Sequence, residues 1–194
     1  MAIDRLLRAN RTIMLVPVFD GPTEPLLIST TGATCPVSAP TSAVLDTWRQ
    51  VVTTSATGAG QGGNISCALL DDVTLGLAAS DTDSELTVCS IGNEETPTFF
   101  NVDVEMVALR DKNKADTGVF NLATQLLNAP DARFVAVDRL GYSSTTAFAS
   151  GQIVSLYEFY TDNPVDVKED RGNMKIQQNP LPTGIVNTLY TLLT

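Results

Sequence analysis

Asp81, Asp83 and Glu85 stand at alternate positions, the spacing with which a calcium-binding loop opens its ligand set. The same frame puts Leu86 where the sharp turn demands glycine and Gly92 where the bidentate glutamate belongs, so an EF-hand is excluded and only an irregular calcium site stays open. These carboxylates belong to a longer run. Residues 50–109 hold no Lys or Arg, yet they carry Asp71, Asp72, Asp81, Asp83, Glu85, Glu94, Glu95, Asp103 and Glu105. Most of the imbalance between 22 acidic and 12 basic residues, a net charge of −10, lies there. Such a field argues against affinity for a phosphate backbone. Two readings follow: solvated surface charge, or an acidic wall past which a phosphate backbone slides without sticking.

Other chemistries are thinly provided for. Histidine is absent, which removes Ser-His-Asp and Cys-His sites and the usual nitrogen ligand for zinc. Catalysis by Lys, Tyr or a carboxylate pair stays possible in principle, but nothing in the sequence points to it and the chain reads as a non-enzyme without cofactor or metal. Cys35, Cys67 and Cys89 are widely spaced and odd in number, with no CxxC pair, so buried free thiols made in a reducing cytoplasm are expected. The stretch TTSATGAGQGG over residues 53–63 is glycine-rich but lacks the GxxxxGK[ST] and GxGxxG patterns of phosphate loops.

Arg5, Arg8 and Arg11 precede an apolar run, an arrangement that imitates a signal peptide. Asp4 and Pro17 interrupt it, and no small-residue cleavage site follows before Asp20. No apolar stretch is long enough for a membrane-spanning helix, and no membrane partner is expected.

The elements that must position these residues are mostly strands. Residues 1–10 read as an arm, too short for a stable isolated helix. Residues 11–20 form a first strand, which Pro17 would place at an edge or a bulge. After a proline-rich extended stretch with a short strand near residues 26–29, Thr41 or Ser42 caps a short helix to about Arg49, with Val44, Leu45 and Trp48 on one face. Residues 53–63 have no side chain able to anchor them and read as a mobile loop.

Strands are then expected over residues 64–70, 73–78, 85–91 and 98–109. In the last, Phe100, Val102, Val104, Met106 and Ala108 share one face and Asn101, Asp103 and Glu105 the other, the period of a half-buried antiparallel strand. Thr117 caps a helix whose stripe of Val119, Leu122, Ala123, Leu126 and Leu127 packs on a sheet, and Pro130 ends it. Residues 133–140, 145–161, 165–167, 174–178 and 184–193 complete the strands, the second long enough to extend beyond a sandwich or to bend at Gly151. Many strands without strand-helix alternation give a mainly β fold: one domain over residues 1–194, an antiparallel β-sandwich or barrel with one flanking α-helix and extended arms or loops.

This order of features resembles the tail tube proteins of long-tailed phages. The C-terminal half carries most of the likeness: GQIVSLYEFYTDNPVDV, the turn KEDRG and NMKIQQNPLPTG are similar to the late strands that end such subunits. The resemblance implies a virion protein, assembled in the host cytoplasm, whose copies form rings of six that stack into a tube for the genome. It implies an acidic lumen, to which Asp103, Glu105, Asp81, Asp83 and Glu85 are assigned. Arg5, Leu6, Arg8, Thr53, Gly58, Gly63, Lys168 and Arg171 are the candidates for contacts between subunits. The partners it implies are the chain itself, a tape measure protein and a tail terminator, with DNA passing unbound. A head-to-tail connector, a capsid decoration protein and an immunoglobulin-like binding module are the rival readings.

Overall fold

Residues 10–19, 27–30, 33–57, 60–84, 95–99, 101–167 and 173–194 are described by a computed structural model of the chain. In chain order they form β1 (Arg11–Phe19), β2 (Leu27–Thr30), β3 (Ala33–Pro36), α1 (Ser42–Arg49), β4 (Gly63–Asn64), β5 (Thr74–Leu77), β6 (Asp81–Ser84), β7 (Glu95–Phe99), β8 (Val102–Leu109), α2 (Val119–Leu127), β9 (Arg133–Leu140), β10 (Ile153–Tyr160), β11 (Val165–Val167), β12 (Lys175–Gln178) and β13 (Leu181–Thr191). The fold is mainly β, consistent with the expected sandwich, and both expected helices are present, α1 and α2.

A seven-stranded antiparallel sheet runs β13-β10-β9-β1-β2-β3, with β4 also paired to β1. Its centre is apolar on both faces: Ile13, Met14, Leu15 and Val16 of β1 and Phe134, Val135, Ala136 and Val137 of β9 are all buried. An uninterrupted apolar run is what a strand covered on both sides requires. β1 is therefore interior, not the edge strand that Pro17 led us to expect. The proline is tolerated because a Cβ on Gly62 would sit 2.6 Å from Pro17 Cδ. The missing N–H thus faces the gap between β4, which pairs Met14 and Leu15, and β2, which pairs Val18 and Phe19.

A four-stranded sheet runs β11-β12-β8-β5. On β8 the expected alternation holds from Asp103, which is exposed, through the buried Val104 and Met106, and ends at Val107, which is buried on the polar face beside the buried Ala108. α2 lies against β8 and β12, burying Leu122, Ala123, Leu126 and Leu127, and α1 lies against β1 and β2 with Val44, Leu45 and Trp48 buried. These side chains join one contiguous core.

The helix starts differ in how they are capped. Thr41 Oγ1 accepts from Val44 N at 3.4 Å, as expected of an N-cap. α2 is capped by Gly118 instead of Thr117, with no side-chain bond. The backbone of Thr117 is engaged elsewhere, its carbonyl accepting from Thr54 N and its N–H donating to Asp116 Oδ1. The buried Asn121 takes up the slack, its Nδ2 donating to Asn113 O and Asp116 O at 2.8 Å each.

Three further expectations are corrected. Residues 64–70 hold only the end of β4, because Ser66 Oγ accepts from Ile13 N at 2.8 Å and Ser66 N donates to Asn64 Oδ1 at 3.2 Å, folding the chain into a turn. The end of the segment over residues 53–63 is anchored, since Gly62 and Gly63 are buried and Asn64 N donates to Val51 O at 2.8 Å, while residues 58 and 59 lie outside the described residues. The strand expected from residue 145 begins only at Ile153. The strand expected over residues 85–91 lies outside the described residues.

Arg139 explains the late start of β10. It is fully buried on β9, and its guanidinium donates to Thr146 O (2.7 Å), Gln152 Oε1 (2.9 Å), Ala147 O (3.1 Å), Ser143 O (3.2 Å) and Thr12 Oγ1 (3.2 Å). It also lies 3.9 Å from the centroid of the Phe148 ring. Carbonyls aimed inward at a cation are not free to join a ladder. Burial lowers the pKa of Arg139 to about 10, so it is still a cation at neutral pH.

Asp46 ties α1 to the same loop, accepting from Arg49 Nε at 2.6 Å, Phe148 N at 3.1 Å and Gln50 Nε2 at 3.1 Å. The hydrogen bond from Arg49, with smaller help from Phe148 N, holds this carboxyl below its usual range against the opposing effect of burial. A depressed carboxyl stabilises the fold above its unfolded pKa of about 4 and loses that contribution as pH falls through the folded value. Asp46→Ala is expected to cost about 1 kcal/mol at pH 7. Denaturant titration should show the gap from wild type closing in acid.

Candidate functional site

The acidic run forms a two-stranded ribbon. β5 and β8 pair from Thr74↔Glu105 to Leu77↔Val102, Ala78 N continues the ladder to Asn101 O at 2.9 Å, and β6 and β7 extend it from Asp81↔Phe99 to Ser84↔Glu95. At ~3.4 Å per residue the strand from Thr74 to Ser84 reaches about 34 Å. Asn101 fixes the joint, its Nδ2 donating to Ala79 O at 2.9 Å and Asp81 Oδ1 at 3.2 Å.

The outer half of the ribbon stands away from the core. Leu77, Ala78 and Ala79 are exposed, and among the described elements β6 and β7 pack extensively only on each other. Two strands alone are at best marginal in water, so this part needs company to be well ordered.

Four of the five residues assigned to a lumen lie on this ribbon. Asp81 and Asp83 stand on β6; Asp103, opposite Gly76, and Glu105, opposite Thr74, stand on β8. Asp103 is exposed, whereas Glu105 is half-buried and accepts from Gln177 Nε2 at 2.7 Å. Glu85 lies outside the described residues. No group of three or more metal-ligating side chains converges among the described residues.

β13 supplies a second surface. It is 11 residues long and pairs as a strand only with β10, leaving most of its outer edge open among the described strands, with Leu193 O just beyond it accepting from Ser42 N at 3.1 Å and Asn187 Nδ2 donating to Ser38 O at 2.8 Å. Leu181, Ile185, Leu189 and Leu193 are exposed along and just beyond it, Leu189 the most at 74%. Two register shifts against β10, and positive φ angles at Gly184 (84°) and Leu189 (58°), keep it from being flat. Open edges of this kind invite pairing, and such irregularities restrict which partner fits.

The cations complete the picture. Arg11 pairs with Asp138, Arg49 with Asp46, Arg110 with Asp166 and Arg133 with the buried Glu158. Lys112 and Lys114 are exposed and make no ion pair or hydrogen bond with any described residue.

Of the residues assigned to subunit contacts, Arg5, Leu6, Arg8, Gly58, Lys168 and Arg171 lie outside the described residues. Thr53 is half-buried in a turn, its Oγ1 3.2 Å from Ser55 Oγ. Gly63 is buried within the subunit. Of the cysteines, Cys35 is a buried free thiol as expected, Cys67 is exposed and Cys89 is not described.

Sequence reasoning passed over the edge at β13 and over Lys112 and Lys114, which have no partner among the described residues. The exposed leucines were a signal for the first. No helix among the described residues is long and apolar enough to cross a membrane. The family model for the phage tail tube protein matches residues 22–192. No curated protein matches the chain.

Proposed function

The chain belongs to the phage tail tube protein family and is a structural protein of the virion tail, and from that premise we propose that it acts as a self-assembling ring subunit. Copies join edge to edge into rings of six, the rings stack head to tail, and the resulting tube carries DNA during ejection. The open edge of β13 is the observation that carries this reading, since an 11-residue strand with one partner is half of a sheet interface. Heterologous contacts of this sort close into rings or run on as filaments, and a tube uses both.

In this reading residues 1–194 act as one domain, and Asp103, Glu105, Asp81, Asp83 and Glu85 face the bore, where their charge keeps a phosphate backbone from adhering. Arg5, Leu6, Arg8, Thr53, Gly58, Lys168 and Arg171 take part in contacts between rings, with Gly63 bracing that region from inside. The tape measure and tail terminator proteins are its partners at assembly, which takes place in the host cytoplasm.

Negative-stain imaging of the purified protein tests the reading. Hollow filaments are the expected result, closed single rings would make the chain a connector, and persistent monomers or trimers would make it a decoration protein. The edge has its own test. Ile185→Lys with Leu189→Lys places charge on side chains already 40% and 74% exposed. The double variant is expected to fold as wild type while assembling at least about tenfold more slowly by light scattering. Unchanged assembly would remove β13 from the interface.

A further inference from the structure

The four-stranded sheet is electrically polar along β8. At its start lie the exposed Asp103 and the ribbon with Asp81, Asp83 and Glu95, in a stretch that holds no cation. Beyond its end the chain gives Arg110, Lys112 and Lys114 within five residues. Seven residues at ~3.4 Å each separate Asp103 from Arg110 by about 24 Å.

The cationic end is concave. A cavity of about 640 Å³ opens there between Arg110, Lys112 and Lys114 on one side and Leu109, Phe120 and Met174 on the other. Among the described residues of its lining Asp111 is the one carboxylate, and its Oδ1 accepts from Asn113 N at 2.9 Å. Arg110 is engaged by Asp166, which leaves Lys112 and Lys114 as the charges without a partner among the described residues. Met174, 51% exposed, adds apolar surface that water covers poorly.

We propose that this cavity receives the acidic ribbon of a second copy of the chain, so that the polarity of β8 sets the direction in which copies stack. The proposal rests on the self-assembly reading above and names the contact that reading leaves open. A copy cannot satisfy its own cavity, because its ribbon leaves from the opposite end of the same strand. Translation along the strand axis brings the ribbon of one copy to the cavity of the next, a heterologous contact that repeats without limit. The ribbon, marginal as a free pair of strands, gains a surface to pack on. The two lysines gain counter-charges from a strand, β6, that carries Asp81 and Asp83.

Charge reversal with rescue tests it on the full-length chain. Lys112→Glu with Lys114→Glu, and separately Asp81→Lys with Asp83→Lys, are each expected to slow filament elongation about tenfold or more at low salt. The variant carrying all four changes is expected to elongate within about threefold of wild type, because the complementarity is restored with its signs exchanged. Circular dichroism establishes that each variant is folded. Should a reversal disturb folding, Lys112→Gln with Lys114→Gln must slow elongation in the same direction. If the wild type forms no polymer, the self-assembly reading falls and this contact with it. If the wild type elongates and the reversals elongate equally well, or the four-fold variant is not rescued, this contact alone is wrong. If a DNA oligonucleotide is retained by the wild type and lost in Lys112→Glu with Lys114→Glu, with elongation unchanged, the cavity serves a phosphate backbone instead.

Discussion

Replacing Arg139 by leucine is expected to lower the stability of the fold by about 3–5 kcal/mol, equivalent to roughly 10 °C or more in Tm for a chain of this size. Leucine fills part of the volume but takes away the donor that the carbonyls of Thr146 and Ala147 face, while Ser143 O keeps Thr146 N at 2.9 Å. An inward-facing acceptor that loses its donor is costly, and two adjacent ones do so here. Arg139→Lys keeps the charge but lacks the planar fork that reaches five acceptors, so it should recover only part of the loss. The damage should also spread to the proposed interface. Gly151 N donates to Leu192 O and Leu192 N to Gln152 O, both at 2.9 Å, so the loop that Arg139 holds helps to fasten the end of β13, together with Ser42 N, which donates to Leu193 O at 3.1 Å. Hydrogen exchange should therefore speed up in residues 141–152 and 189–193 together. Exchange confined to the first segment, with a stability loss under about 1 kcal/mol, would show that the contact of Asp46 with Phe148 holds the loop instead.

How much of this was legible in the sequence depended on the range of the interaction involved. β9 and β11 have the expected bounds because each is a short β-favouring run closed by turn residues, information contained within a few positions. β8 and the buried stripe of α2 were legible for the same reason, through periods of two and of 3.6. The readings that failed turned on distant partners. Pro17 is locally an edge-strand signal, and only the gap between β4 and β2 makes it acceptable in the middle of a sheet. The sequence of residues 145–152 permits a strand, and only a guanidinium from another strand withdraws its carbonyls.

The acidic surface was legible as charge and not as shape. A run without cations over residues 50–109 is a property of composition. That Asp81–Ser84 is a strand is not: aspartate and serine are poor strand formers, and β6 exists because β5 and β8 have already set the register that it continues. The open edge of β13 is a fact of sheet order, which no local pattern states.

Gly62→Ala is expected to cost about 3 kcal/mol or more, although the change adds one methyl group to a segment whose composition reads as a loose linker. A Cβ there would lie 2.6 Å from Leu15 O and 2.6 Å from Pro17 Cδ, and 3.1 Å from the Trp48 ring. The first two belong to the central strand of the sheet, so relief requires β1 itself to move. Gly63→Ala should be comparably harmful for two reasons: a φ of 153° that disfavours a side chain, and a Cβ 2.6 Å from Val51 O. Gly76→Ala is the control, since a Cβ there meets nothing within 4 Å and its φ is not positive. There alanine should be neutral or raise stability by up to about 1 kcal/mol. Chemical denaturation of the three variants separates close backbone approach from glycine content as such. If Gly62→Ala and Gly76→Ala unfolded alike, the segment before β4 would be the loose connection that its composition describes, and the bracing of β1 through Pro17 would have to come from elsewhere.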